Sequence, residues 1–245
     1  MENAPPRQLT RFPVLVCLGC TTLPFMAIHG AFLISAAYGF VDSCNPYWDS
    51  CTSICATGRR APASYLFRGI MLPMAMLSIV YWWLHWKLRE LPPFQPDQDR
   101  GKAARRRHSM LLCGIFAGLG LALYVTVLGE IGDVWRTQRK VGAVLFFSLT
   151  FLAQLLLAAG LRGGSAAELP RSGPIARRLL RICQLMLLIG IFCVALQLFD
   201  EALHDSVEDA IEWQLALLLQ LNFMFSVALW WRGRWSLALS ERPGS

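Results

Sequence analysis

The chain has 245 residues, 55% of them hydrophobic and only 16% charged, with a formal net charge of +7. That is too apolar for an ordinary soluble domain, and the segments between its apolar stretches are too short to fold separately. The positive surplus is not a nucleic-acid footprint either, because no aromatic or groove-reading element accompanies it.

Six apolar stretches organise the sequence, at about Pro13–Phe40, Tyr65–Trp86, Met110–Gly129, Val141–Gly160, Ile182–Phe199 and Trp213–Trp231. Each is close to the ~20 residues with which a helix crosses a hydrocarbon layer of about 30 Å. The expected fold class is all-α, a polytopic membrane protein built as a bundle of six transmembrane helices across residues 13–231. A polar lead of residues 1–12, with Pro5-Pro6, and a tail of residues 232–245 flank it. Arg7, Arg11 and Ser35-Ala36-Ala37 imitate a cleaved signal peptide, but the first stretch is longer than a usual signal core. Pro24 and Pro73, within the first two spans, each remove a helix hydrogen bond and are expected to kink their helices.

Between spans one and two, residues 41–64 hold Cys44, Cys51 and Cys55 among turn formers and aromatics. Three cysteines on an oxidising face predict one disulfide and one thiol left over, with Cys44 joined to Cys51 or Cys55. The loop contains no His and offers too few ligands for a metal, so neither a metal nor any other cofactor is expected. The other five cysteines lie in spans, where they read as small packing residues. Residues 87–109 are basic and carry Pro92-Pro93 and Pro96, and residues 161–178 carry Gly163-Gly164; both read as flexible loops. Span three contains Gly114-x-x-x-Gly118 and Gly120, which let a neighbouring helix approach closely, here within the same chain. The loops after spans three and five are short, so their flanking spans are antiparallel neighbours.

Charge sets the expected orientation. With the N-terminus in the cytosol, the inner segments hold 17 of the 23 basic residues, and ten of the 16 acidic residues fall outside. Both termini are therefore expected in the cytosol, in an endomembrane or the plasma membrane. Arg105, Arg106 and Arg107, just before span three, read as a topology signal in contact with anionic inner-leaflet lipids.

Few polar groups are placed where chemistry or binding is expected. His29 lies near the middle of span one, and Gln154, Gln184, Gln197, Gln220 and Asn222 also fall within spans. Intramembrane amides usually pair between helices, whereas an intramembrane His is a rarer group and a functional candidate. Glu130 closes span three, Arg68 opens span two and Glu212 opens span six, all on the outer side. His204, Glu208 and Glu212 repeat at i, i+4 and i+8, so a continuous helix puts them on one face. That face reads as a solvated acidic cap, or as a cation or acid–base cluster. Arg68 is the expected partner of Glu212, because an unpaired ion is costly where a helix enters lipid. With Glu130 they would form a polar patch for a lipid headgroup. No P-loop, Gly-x-Ser-x-Gly, His-Glu-x-x-His or Cys-x-x-Cys pattern is present.

The run Ser53-Ile-Cys-Ala-Thr-Gly-Arg-Arg-Ala-Pro-Ala-Ser-Tyr-Leu-Phe-Arg-Gly69 resembles the first-loop signature of the FGF-receptor-activating-protein/DRAM/Sfk family of six-span membrane proteins. Glu130 at the end of span three and Glu212-Trp213 at the head of span six fit the same pattern, while Cys55 stands where that family usually has Ser. The Tyr65-x-x-Arg68 spacing is closest to the branch of the GPI-anchor lipid-remodelling factor. The resemblance implies a lipid-linked membrane function. One form is a protein that binds or remodels a lipid or lipid anchor at the outer surface, possessing acyl-transfer activity if it is an enzyme. Its lipid-binding residues would be Arg68, Glu130 and Glu212, and its candidate catalytic groups His29, Glu130 and Glu212. The other form is a non-enzymatic regulator or scaffold, of the autophagy or lipid-signalling type, that recruits partners through the basic inner loops.

Overall fold

A computed structural model describes residues 7–9, 11–88, 100–162, 173–233 and 237–239. Most of the polar lead, most of the C-terminal tail, the prolines at 92, 93 and 96 and the Gly163-Gly164 pair lie outside the described residues.

Six long helices carry the fold: α1 (Phe12–Ala37), α3 (Ala63–Leu88), α4 (Arg100–Thr126), α5 (Asp133–Arg162), α6 (Gly173–Phe199) and α7 (Glu201–Gly233). All six are long and apolar enough to cross a membrane. A single-turn helix, α2 (Ile54–Thr57), lies between α1 and α3. The only extended pairing among the described residues is an antiparallel one between β1 (Arg7–Leu9) and β2 (Leu237–Leu239), which puts both ends of the chain at one end of the bundle. Each long helix packs on the next, and α7 returns to α1, so the six close a ring in chain order.

Hydropathy marks the hydrocarbon and not the helix, so several helices outrun their apolar stretches. Arg and Lys are good helix formers, and α4 accordingly begins at Arg100, before the apolar run opens. The head of α7 begins at Glu201, where the Asp200 carboxylate accepts the Leu203 N–H at 3.0 Å as an N-cap. Conversely, α1 stops at Ala37, ahead of Phe40, where Gly39 turns the chain with φ +68°. Both α1 and α3 continue through Pro24 and Pro73. A buried bundle tolerates such breaks in the hydrogen-bond ladder.

Small residues set the tightest helix crossings. Gly114 and Gly118 face α3, where Gly114 packs on Trp82 and a Cβ at Gly118 would lie 3.0 Å from the Ala75 carbonyl oxygen. Gly120 instead meets Gly142 of α5. The small-residue stripe of span three is thus used within the chain.

The half of the core nearest the chain ends is tied by imidazole and hydroxyl groups. Tyr81 and Ser226 hydroxyls are 2.7 Å apart, across α3 and α7. His85 donates from Nδ1 to the Tyr81 carbonyl and accepts the Trp230 indole N–H at Nε2. Among the amides, Gln154 donates to the Leu219 carbonyl at 3.2 Å and Asn222 to the Cys183 sulfur at 3.3 Å, each between helices. Gln220 is buried, whereas Gln184 and Gln197 face outward.

Candidate functional site

The opposite end of the bundle is covered by residues 38–62, a cap loop held by the head of α7. The Trp213 indole N–H donates to the Thr52 carbonyl at 2.8 Å, the Gln214 amide to the Tyr47 carbonyl at 3.0 Å, and the Ala210 N–H to the Ser50 hydroxyl at 3.3 Å. The Glu212 carboxyl lies beneath the cap loop, where burial pushes it up to about 7 and the Ile54 backbone works against that shift. On the α1 side, the Ser35 hydroxyl donates to the Thr57 carbonyl at 2.6 Å.

His29 belongs to this clasp. Its Nδ1 lies 2.8 Å from the Phe25 carbonyl, which can only accept, so Nδ1 carries the proton. Nε2 lies 2.9 Å from the Tyr47 hydroxyl. The ring stacks on Phe25 and meets the edge of Trp213. One nitrogen is tied within α1 and the other to the cap loop, so in this structure both ring nitrogens have partners.

Cys44 and Cys51 are joined as a disulfide, with Cα atoms 6.7 Å apart, and Cys55 is the thiol left over. The Tyr124 hydroxyl donates to the Cys55 sulfur at 3.2 Å. Burial, reinforced by the nearby Glu212 charge, pushes the Cys55 thiol up to about 11. At neutral pH it stays protonated and is a poor nucleophile. Titrating thiols in denaturant without reductant should therefore count the six free cysteines, and eight after reduction. In the folded protein at pH 7, Cys55 should react with maleimide far more slowly than after unfolding. A count of eight without reductant would remove the bridge.

Arg68 and Glu130 are brought together, at 3.8 Å, but Glu212 is not part of that pair. The Arg68 guanidinium also donates to the Leu128 carbonyl at the end of α4. It thus caps α4 from the head of α3, a favourable place for a cation. Gly129 makes this turn possible. Its φ is +95°, and a Cβ there would stand 2.6 Å from the Arg59 carbonyl. The expected Arg68–Glu212 pair does not form, because ring order sets α3 beside α4 while Glu212 points beneath the cap loop. The charges that bear on Glu212 are Asp209, Glu208 and Arg59.

Glu212 instead lines a cleft between α5, α6 and α7, with a volume of about 860 Å³. Its walls are apolar: Phe147 and Phe151 from α5, and Met186, Leu187, Ile191 and Val194 from α6. Its polar end is made by Ser53, His204, Glu208, Asp209 and Glu212. The i, i+4, i+8 repeat of His204, Glu208 and Glu212 does lie on one continuous helix, and all three residues line this one cavity. From Val194 to Met186 the cleft follows α6 for roughly 12 Å at 1.5 Å per residue. That is on the scale of one leaflet of a ~30 Å hydrocarbon core. The His204 imidazole sits 3.2 Å from the Asp205 carboxylate and 3.8 Å from that of Glu208. These three ligand-type groups lie within 4.8 Å of one another.

Sequence reasoning found the acidic face but missed the cleft. Its walls are ordinary Leu, Ile, Phe and Met of membrane spans, and no periodicity separates a cleft-lining apolar residue from a lipid-facing one. It also missed the clasp of Tyr47, Trp213 and Gln214, for which the Glu212-Trp213 pair was the one available signal.

Among curated proteins and among solved structures, nothing matches the chain. The family profile described as "Frag1/DRAM/Sfk1/Cwh43P N-terminal domain" matches residues 13–231, from the start of α1 to the end of the sixth span. With that match over most of its length and six helices long and apolar enough to cross a membrane, the chain belongs to the Frag1/DRAM/Sfk1 family of membrane proteins.

Proposed function

We propose that this protein binds a membrane lipid or lipid anchor laterally, in the cleft between α5, α6 and α7, with the headgroup at the His204–Glu212 end. The observation that carries this reading is the cleft itself. Its ~860 Å³ lies within the usual 300–1,000 Å³ of ligand sites, and apolar walls end in a few convergent polar groups. The excess of basic residues at the other end supports placing the cleft's polar end at the outer surface. In the same orientation, Arg105 and Arg106, exposed before span three, meet anionic inner-leaflet lipids, while Arg107 lies over the Trp86 ring at 4.9 Å. The Tyr65-x-x-Arg68 spacing supports a lipid anchor as one occupant. In the remodelling form of this reading, Glu212 is the acid or base, since His29 and Glu130 do not line the cleft. Arg68 and Glu130 act by fixing the turn after α4.

Gly190 provides the test. It lines the cleft, and a Cβ built there meets nothing within 4 Å. Gly190→Trp should fill the cavity without disturbing the helices. Purified in mild detergent and analysed by mass spectrometry, the wild type should retain lipid. The variant should lose most of it at an unchanged unfolding temperature. Equal lipid in both proteins would refute lateral binding here and return the scaffold reading, in which the bundle only recruits partners.

A further inference from the structure

We propose that the cleft selects lipids whose headgroup carries a positive charge, a primary amine or a quaternary ammonium, over lipids whose headgroup is only anionic. This rests on the lateral-binding reading and adds the headgroup class. The argument begins with the residues lining the polar end: Glu208, Asp209 and Glu212 are carboxylates, and His204 is the one basic side chain among them. Even a fully protonated His204 leaves carboxylates in excess. Among the described residues, no lysine or arginine lines the cleft.

Of the six basic side chains at this end of the bundle, four are engaged elsewhere, and Lys140 is exposed and does not line the cleft. Arg68 pairs with Glu130 and donates to the Leu128 carbonyl. Arg139 donates to the carbonyls of Val127 and Glu130, at 3.2 and 2.7 Å. Arg136 pairs with Asp133 at 3.8 Å, and Arg60 lies over the Phe40 ring at 5.2 Å. Arg59 acts on Asp209 and Glu212 only through its field, from an exposed position on the cap loop. Among the described residues, none of the three carboxylates forms an ion pair with a lysine or arginine.

Asp209 and Glu212 are half-buried. Carboxylates taken partly out of water beside like charges gain from a cation that comes with the ligand. A phosphate without an amine would meet those carboxylates with no compensating arginine, and like charges brought together in a partly dry site repel. The charge complementarity and the apolar walls therefore name one class of occupant: an amphiphile with acyl chains and a cationic end. A lone cation would leave the apolar part of the cavity unused.

The experiment uses the full chain in nanodiscs of defined composition, with photoactivatable phosphatidylethanolamine, phosphatidylcholine and phosphatidylglycerol of identical acyl chains as probes. Crosslinks are mapped to residues of α5, α6 and α7. The amine and quaternary lipids should label the cleft up to about fivefold more than phosphatidylglycerol, the most that one favourable exposed charge contact gives. Glu208→Gln with Asp209→Asn should bring that ratio close to one. Glu208→Lys, at an exposed position that any side chain occupies without packing cost, should turn it toward phosphatidylglycerol. Equal labelling by all three lipids in the wild type, while Gly190→Trp still abolishes it, would overturn the headgroup inference and leave lateral binding standing. Labelling of the cleft that Gly190→Trp does not reduce would remove both.

Discussion

Trp213→Ala should be the most damaging single truncation at the capped end of the bundle. Trp213 is only 1% exposed, and its indole N–H is bonded to the Thr52 carbonyl at 2.8 Å. Its ring meets those of His29, Phe32 and Tyr47 edge-on, with centroids 5.5, 5.8 and 5.6 Å away. Removing a buried Trp side chain costs roughly 3–5 kcal/mol through lost transfer energy and the cavity left behind. For a chain of this size that corresponds to a fall in unfolding temperature of roughly 6–20 °C. Trp213→Phe keeps most of the packing and loses the hydrogen bond, so it should cost about 1 kcal/mol more than simple ring shrinkage would. The truncation should also release the cap loop, and maleimide should then reach Cys55 at a rate close to that of the unfolded chain. A Trp213→Ala protein that melts like the wild type, with Cys55 still protected, would show that α7 does not hold the cap.

The fold was legible because the bilayer imposes a length and a polarity on every span, and both are written in consecutive residues. The site was legible only in part, and the reason is geometric. Glu212 and Arg68 both announce themselves as charges at span heads, but a linear pattern does not say which heads are neighbours. Ring order decides that: α3 lies beside α4, so Arg68 finds the Leu128 carbonyl and Glu130, while Glu212 finds Ile54 and the cleft. The repeat of His204, Glu208 and Glu212 was readable because helix periodicity is local. It became a site only through the walls that α5 and α6 bring up against it. His29 shows the opposite case. Its rarity within a span makes it a functional candidate, and what the structure adds is its surroundings: one ring nitrogen on the Phe25 carbonyl of α1 and the other on the Tyr47 hydroxyl of the cap loop, away from the cleft. The disulfide is intermediate. Three cysteines fixed that one bridge forms, and the turn from Asn45 to Asp49, closed by the Asp49 carboxylate on the Asn45 N–H at 2.8 Å, brings Cys51 back to Cys44.

Gly142→Leu should be comparably damaging, for a reason unrelated to lost contacts. A Cβ at Gly142 would lie 2.7 Å from the Tyr124 nitrogen and 2.8 Å from the Gly120 carbonyl oxygen. Seen from α4, a Cβ at Gly120 would lie 3.1 Å from the Gly142 carbonyl oxygen. The obstructing atoms are backbone, which no rotamer change can move aside, so α4 and α5 must separate. Overpacking of this kind typically costs 1–3 kcal/mol, and leucine at a backbone-on-backbone crossing belongs at or above the top of that range. The strain should reach the cap as well, because Tyr124 is at the crossing and donates to Cys55. Gly190→Leu is the matched control: the same side chain is added to a helical glycine whose Cβ direction is open. Thermal unfolding of the two variants in one detergent should separate them widely, with Gly142→Leu strongly destabilised and Gly190→Leu close to the wild type. Equal shifts would mean that the detergent-solubilised helices do not cross at Gly120 and Gly142.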